Sequence, residues 1–428
     1  MRLRALSVAG GYMLGVYGVV AAIGVVSIRL FTDLAPPAVF GEANLLLTVL
    51  ALTTTVSFQP FTNTQLRYHS AAVNEGKADA FTREVLRWTA LASACVCMLA
   101  ITAWLVLRAI HAIQLGLPGM LGVVGIVFAT AGRNVVYGRF QAERRNFIYG
   151  GLLMAEAAVV AGCTVFGLRA SASIDGYVVG AAAGMIVAAL LGFGLAPRAS
   201  LRVLTHAEKA PGFLRQVASY GLPFGPIGVL SWLANLADRY VLAALMGPAA
   251  AGRYVAPFSI ASRGMSLVGS ALGDLLRPAL FASVNRGDHA GSRSIFWGWL
   301  AVRALAAVGG VVGLNLLGPT IARLLLAPAY RDGAVPIMTW VAAAYGVQGV
   351  IQTLETRLMS LDRTFWLILP LAIGGVSNLA FSLLLIPRHG VIGAAQATAA
   401  SFVVQAVVTI LVLLAKRVPG PSDSAASD

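Results

Sequence analysis

Three ionisable residues stand where a chain this apolar should hold none. Arg263, Arg303 and Glu156 each lie inside otherwise uncharged stretches of membrane-spanning length. A charge near a bilayer centre is costly enough to mark a functional candidate. A guanidinium keeps its charge and presents a planar fork that matches phosphate oxygens. A buried carboxyl can exchange a proton. Arg263 stands about 11 residues into its apolar run and Arg303 about 9 into the next, so both reach ~14–16 Å deep at ~1.5 Å per residue. Two readings stay open for the arginines: a cationic cavity that holds an anion, or packing residues tied to helix carbonyls or an acid. Glu156 likewise reads as a proton-coupling carboxylate or as a hydrogen-bonded packing residue.

Further candidates flank the apolar runs. Arg239 follows Asp238 at the expected outer end of the seventh run, Arg29 follows the first, and Arg67 and Arg133 fall on the inner side. Each can line a cavity, or simply snorkel to lipid headgroups. Pro223 and Pro226 break the seventh run and Pro370 the eleventh, giving either bending points or static kinks. Asn235, Gln348, Gln352, Asn378 and Gln396 can meet hydroxyl groups in a wet cavity or glue helices together. Enzyme constellations are absent: the five His are scattered, and no HExxH or Walker loop occurs. No cofactor is expected, and a proton or sodium gradient has to supply the driving force for any transport.

The elements that position these residues are helices. The chain is 58% apolar and 11% charged, which excludes a soluble domain and points to an all-α polytopic membrane protein. The net charge of +14 does not indicate nucleic acid, because the basic residues sit between apolar runs and form no groove-sized patch. Twelve transmembrane helices are expected, at Ala5–Ile28, Gly41–Gln65, Trp88–Leu107, Pro118–Tyr137, Asn146–Leu168, Ile174–Leu195, Ala218–Leu236, Gly252–Leu272, Ser294–Leu314, Val335–Leu354, Phe365–Leu385 and Val391–Leu414. The first run is too long for a signal-peptide core. Lys and Arg concentrate in the segments that share a side with the N-terminus, so both termini are expected in the cytoplasm. Cys95, Cys97 and Cys163 all fall inside apolar runs and read as small hydrophobes.

The chain also reads as a duplication. Pro37-Ala38-Val39-Phe40-Gly41 matches Pro248-Ala249-Ala250-Ala251-Gly252 in Pro, Ala and Gly. Ala71, Val73, Asn74 and Gly76 match Ala282, Val284, Asn285 and Gly287 at the same spacing, and Val178–Ala182 matches Val391–Ala395 at nearly that spacing. Six helices per half is an even number, so two six-helix lobes should be parallel repeats. The expected division is an N-terminal lobe at 1–195, a basic cytoplasmic linker at 196–212, a C-terminal lobe at 213–418 and a disordered tail at 419–428.

The run Gly221-Leu222-Pro223, then Asp238-Arg239-Tyr240, Gly252-Arg253-Tyr254 and Pro278, resembles the middle of Wzx-type polysaccharide flippases. So does the C-terminal series of Asn378, Ile386-Pro387-Arg388-His389-Gly390 and Gly393-Ala394-Ala395-Gln396-Ala397-Thr398. The likeness extends over nearly the whole chain. It implies the superfamily of multidrug antiporters and the peptidoglycan-precursor flippase, with V-shaped lobes around a central cavity. It implies a cargo of undecaprenyl-pyrophosphate-linked oligosaccharide, moved from the inner to the outer leaflet of the cytoplasmic membrane. Arg263, Arg303, Arg239, Arg29 and Arg133 would then meet the pyrophosphate head, with a polysaccharide polymerase and co-polymerase as partners. The rival readings are an organic-cation antiporter, whose cavity should be acidic, the peptidoglycan-precursor flippase, whose family usually carries helices beyond twelve, and a membrane-embedded transferase or polymerase, which needs a catalytic loop.

Overall fold

The computed structural model describes residues 2–110, 114–196, 212–222, 224–361 and 364–415. Pro223, most of the expected linker and the expected tail lie outside the described residues. Twelve long helices follow in chain order. The first six are α1 (Arg2–Leu34), α2 (Pro37–Asn74), α3 (Ala78–Ala109), α4 (Leu117–Ala142), α5 (Asn146–Ala170) and α6 (Ile174–Leu195). The second six are α7 (Phe224–Met246), α8 (Pro248–Asn285), α9 (His289–Leu316), α10 (Ala334–Ser360), α11 (Ile368–His389) and α12 (Val391–Ala415). Among the described residues, eleven helices are long and apolar enough to cross a membrane. The other long helix, α8, carries Arg253, Arg263 and Arg277 along its length, and this cationic load lowers its hydropathy. The protein is an all-α multi-pass membrane protein.

Several helices outrun their predicted spans. Each of α2 and α8 has 38 residues, or ~57 Å at ~1.5 Å per residue, well beyond a ~30 Å hydrocarbon layer. Hydropathy reads only the lipid-facing part, whereas backbone hydrogen bonding carries the helix on into water. For the same reason α3 begins at Ala78 rather than Trp88, and α10 ends at Ser360 rather than Leu354.

The seventh span is displaced. A π-helical turn, Val217–Gly221, precedes α7, which then runs to Met246 rather than stopping at Leu236. Asp238 and Arg239 are therefore inside a helix and buried, not at its outer end. Pro226 stands in the first turn of α7 and Pro370 in the first turn of α11. A missing N–H costs nothing there, because the first-turn donors have no intrahelical partner. Pro226 thus follows the junction of the π turn with α7, and Pro370 that of a 3-10 turn, Thr364–Leu367, with α11. Two buried prolines stand deep inside helices: Pro60 of α2, whose carbonyl lies against Gly221 of the π turn, and Pro257 of α8.

The halves repeat one packing scheme. In the first, α5 packs on α6, α6 on α4, α1 on α5, α2 on α3 and α4, and α3 on α4. The second repeats it as α11 on α12, α12 on α10, α7 on α11, α8 on α9 and α10, and α9 on α10. Close approach is bought with small residues, as in lipid generally: Gly176, Gly180 and Gly184 place α6 directly on the α5 backbone, and Gly393 seats α12 on Leu385 of α11. The matched ends have matched caps. Gly76 (φ 69°) and Gly287 (φ 71°) close α2 and α8, donating to Val73 O at 3.0 Å and Val284 O at 2.9 Å.

The lobes meet through α2 on α8, α2 on α7 and α1 on α8. The repeated Pro-Ala-x-x-Gly segments face each other at this junction. Gly41 packs on the Pro248 carbonyl and Gly252 on the Pro37 carbonyl. At the same end, the last turns of α1 are tied to the second half. Arg29 donates to Leu326 O and pairs with Asp33 at 2.9 Å. Ala327 N donates to Thr32 Oγ1 at 3.2 Å and Tyr330 OH to Ala35 O at 2.7 Å. Phe40 and Tyr330 stack edge-on above this latch at 5.8 Å.

Candidate functional site

A cavity of ≈ 490 Å³ lies between α1, α4, α5 and α6 of the first lobe and α8 of the second. Helical spacing explains its walls. Along α1, Tyr17, Val20, Gly24, Ser27 and Phe31 recur every three or four residues, and on α8 Arg263, Ser266 and Ser270 do the same. Three charged groups enter it: Arg133, Glu156 and Arg263. They share one depth. Arg133 stands about 16 residues into α4 and Arg263 about 15 into α8, while Glu156 stands about 10 into the oppositely directed α5, which places all three at a similar level, well inside their helices, at ~1.5 Å per residue.

Their pairing is unequal. Arg133 Nε donates to Glu156 Oε2 at 2.7 Å and its Nη1 to Asn134 Oδ1 at 2.9 Å, with the guanidinium 5.0 Å from the Tyr137 ring centroid. Arg263 is solvent-accessible in the cavity and has no ion-pair partner among the described residues. Its guanidinium lies across the Gly24 backbone, where any side chain on α1 would displace it. Two cations and one acid leave the cavity positive.

The other candidate arginines are elsewhere. Arg303 is buried in the second lobe, donating to Gly269 O at 2.7 Å and to Gln352 Oε1 at 3.4 Å, and so joins α8, α9 and α10. This is the packing arrangement left open above. Arg239 is buried on the Phe258 ring, 4.6 Å from its centroid. Arg29 belongs to the latch. Sequence depth alone could not separate Arg263 from Arg303, because which side of a helix faces a void depends on its neighbours. Arg133, a candidate expected on the inner side, lies well inside α4 and lines the cavity.

Comparison with solved structures places this arrangement in a known architecture. The inward-facing conformation of a multidrug resistance MATE family transporter of the MOP superfamily superposes with a TM-score of 0.74 at 12% identity, covering 93% of each chain. The lipid II flippase MurJ in an inward closed conformation gives 0.71 at 13% identity, covering 96% of this chain and 87% of that one. The Vibrio cholerae MATE transporter VcmN gives 0.66 at 15% identity, covering 97% of each. The chain has the MATE fold. No protein-family model and no curated protein matches it.

Within this MATE fold, the second lobe holds a polar cluster that hydropathy missed. Asp238 is fully buried and accepts hydrogen bonds from Tyr254 OH at 2.5 Å, Thr398 Oγ1 at 2.9 Å and Arg239 N at 2.9 Å. No cation pairs with it among the described residues. Asn378 donates to Ser401 Oγ at 3.3 Å, while its Oδ1 and the Ser382 hydroxyl are buried without partners among the described residues. Oxygen acceptors suit a proton or a hard cation, although no group of three His, Cys, Asp or Glu fit for a metal occurs among the described residues. Asp238, Asn378 and Thr398 all stand in the segments that carry the flippase resemblance, but their convergence from α7, α11 and α12 needs the fold.

Proposed function

We propose that the protein is a flippase that carries a polyprenyl-pyrophosphate-linked oligosaccharide from the inner to the outer leaflet of the cytoplasmic membrane, for surface polysaccharide synthesis. The observation that carries this reading is the positive cavity between the lobes, in which Arg263 has no ion-pair partner among the described residues. An organic cation would be repelled there, whereas a pyrophosphate head gains charge-assisted hydrogen bonds that offset its desolvation. The cavity volume falls in the range of sites for small organic groups, and its apolar walls suit a lipid-linked cargo. With the N-terminus cytoplasmic, the latch at Arg29, Thr32 and Tyr330 closes the outer side, so the head is loaded from inside. Rocking of the lobes about the Gly41–Gly252 contact then exposes it outside. A polymerase and co-polymerase would take the product.

The drive is an ion rather than ATP. Asp238 is a fully buried carboxyl without an ion-pair partner among the described residues, and a buried carboxylate needs a proton or a cation to be tolerated. In this scheme the ion enters at Asp238, while Glu156, the coupling candidate of the sequence, is held by Arg133. Asp238→Asn is expected to remove the dependence of transport on a proton or sodium gradient, measured by uptake into vesicles with imposed gradients. Retained gradient dependence would move coupling to Glu156. The function itself is tested in cells lacking the gene: leaflet-specific labelling and lipid mass spectrometry should find undecaprenyl-pyrophosphate oligosaccharide trapped on the inner leaflet. Drug sensitivity with normal polysaccharide would favour the antiporter.

A further inference from the structure

The cavity holds one acid among its cations, and the flippase reading gives that acid no obvious use. Glu156 takes the strongest donor of Arg133 at 2.7 Å. Both side chains are largely withdrawn from solvent, at 24% and 14% exposed. Asn134 takes a second donor of the same guanidinium, and the Tyr137 ring covers its face. Arg133 is thus held in place with an internal anion in the seat that a ligand phosphate would occupy. Arg263, across the cavity on α8, has no such ion-pair partner among the described residues.

This asymmetry has a consequence for selectivity. A membrane offers the cavity a large excess of phospholipids whose phosphodiester bears a single negative charge. Such a head can satisfy Arg263, but gaining Arg133 as well requires it to displace Glu156 with no charge to spare. A pyrophosphate diester bears two charges on adjacent phosphorus centres. It can satisfy Arg263 with one and compete for Arg133 with the other. We propose that Glu156 is a specificity-determining residue: an internal competitor for Arg133 that excludes monoanionic lipid headgroups and admits doubly charged pyrophosphate ones. The assignment rests on the cavity being the cargo site, as the flippase reading holds.

The test uses the full-length protein in detergent and two soluble probes with matched tails. One is a short-chain prenyl pyrophosphate sugar ester, the other the prenyl monophosphate diester of the same sugar, and binding of each is measured by calorimetry. Wild type should prefer the pyrophosphate probe. Glu156→Gln keeps the shape of the side chain and removes its charge, so the single-charged probe gains the most, and the preference should shrink about tenfold, the weight of one charge-assisted hydrogen bond. Glu156→Asp should restore the preference in part, which a purely structural role would not produce. An unchanged ratio in Glu156→Gln overturns the inference while leaving the cavity assignment intact. Pyrophosphate binding that survives Arg263→Ala in wild-type strength instead overturns the cavity assignment, and with it the premise.

Discussion

Arg263→Ala should abolish translocation while leaving the folded protein almost as stable as wild type. The side chain projects into a cavity and has no ion-pair partner among the described residues, so its loss breaks no protein contact of weight, and the stability change should stay below about 1 kcal/mol. Arg303→Ala should do the reverse. That guanidinium is buried and bonded to Gly269 O and Gln352, and truncation leaves a void at the meeting of three helices and removes both hydrogen bonds. A loss of about 3 kcal/mol follows, seen as a lower melting temperature in detergent, with transport reduced only as far as folded protein is lost. Thermal melting and transport measured on both variants separate the two roles. A stable, inactive Arg303→Ala protein would place Arg303 in the transport path instead.

Gly41→Ala and Gly252→Ala should each shift the protein away from the conformation described here. A methyl group at either position collides with a proline carbonyl of the other lobe. Backbone cannot yield as a flexible side-chain tip can. Overpacking of this kind costs about 1–3 kcal/mol, and about 2 kcal/mol changes the ratio of closed to open forms roughly 30-fold. Spin labels at exposed Leu117 and Leu317, introduced as Leu117→Cys and Leu317→Cys without the native cysteines, sit on different lobes at this end. Their distance distribution should move to longer separations in either glycine variant. The two substitutions act on one contact, so the double variant should add little beyond either single one. An unchanged distribution would remove the Gly41–Gly252 contact from the conformational cycle.

These two predictions mark how far residues alone could lead. The repeated Pro-Ala-x-x-Gly segments were visible as a sequence match, and the equal caps at Gly76 and Gly287 follow from the matched Ala-x-Val-Asn-x-Gly ends. That the two glycines touch was not visible, because symmetry relates positions without saying which ones lie near the axis. Apolar runs located the helices but not their ends, since α2 and α8 continue beyond the lipid-facing part on backbone hydrogen bonds. The same limit misplaced Asp238 and Arg239 at a helix end. Charge inside a span flagged Arg263 and Arg303 alike, and helix packing alone distinguishes the one facing a void from the one filling a joint. The pairing of Arg133 with Glu156 joins residues on two helices whose facing sides no local pattern specifies.

The central claim is that this protein moves a pyrophosphate-linked oligosaccharide across a bilayer through the Arg263 cavity. The most direct measurement reconstitutes purified protein in vesicles that carry a labelled polyprenyl-pyrophosphate oligosaccharide and follows its exposure to an external, impermeant sugar-modifying enzyme. Under an imposed ion gradient, wild type should expose the inner-leaflet pool within minutes, and Arg263→Ala vesicles should match protein-free ones. Equal exposure by wild type and Arg263→Ala, or none by either under any gradient, would contradict the account.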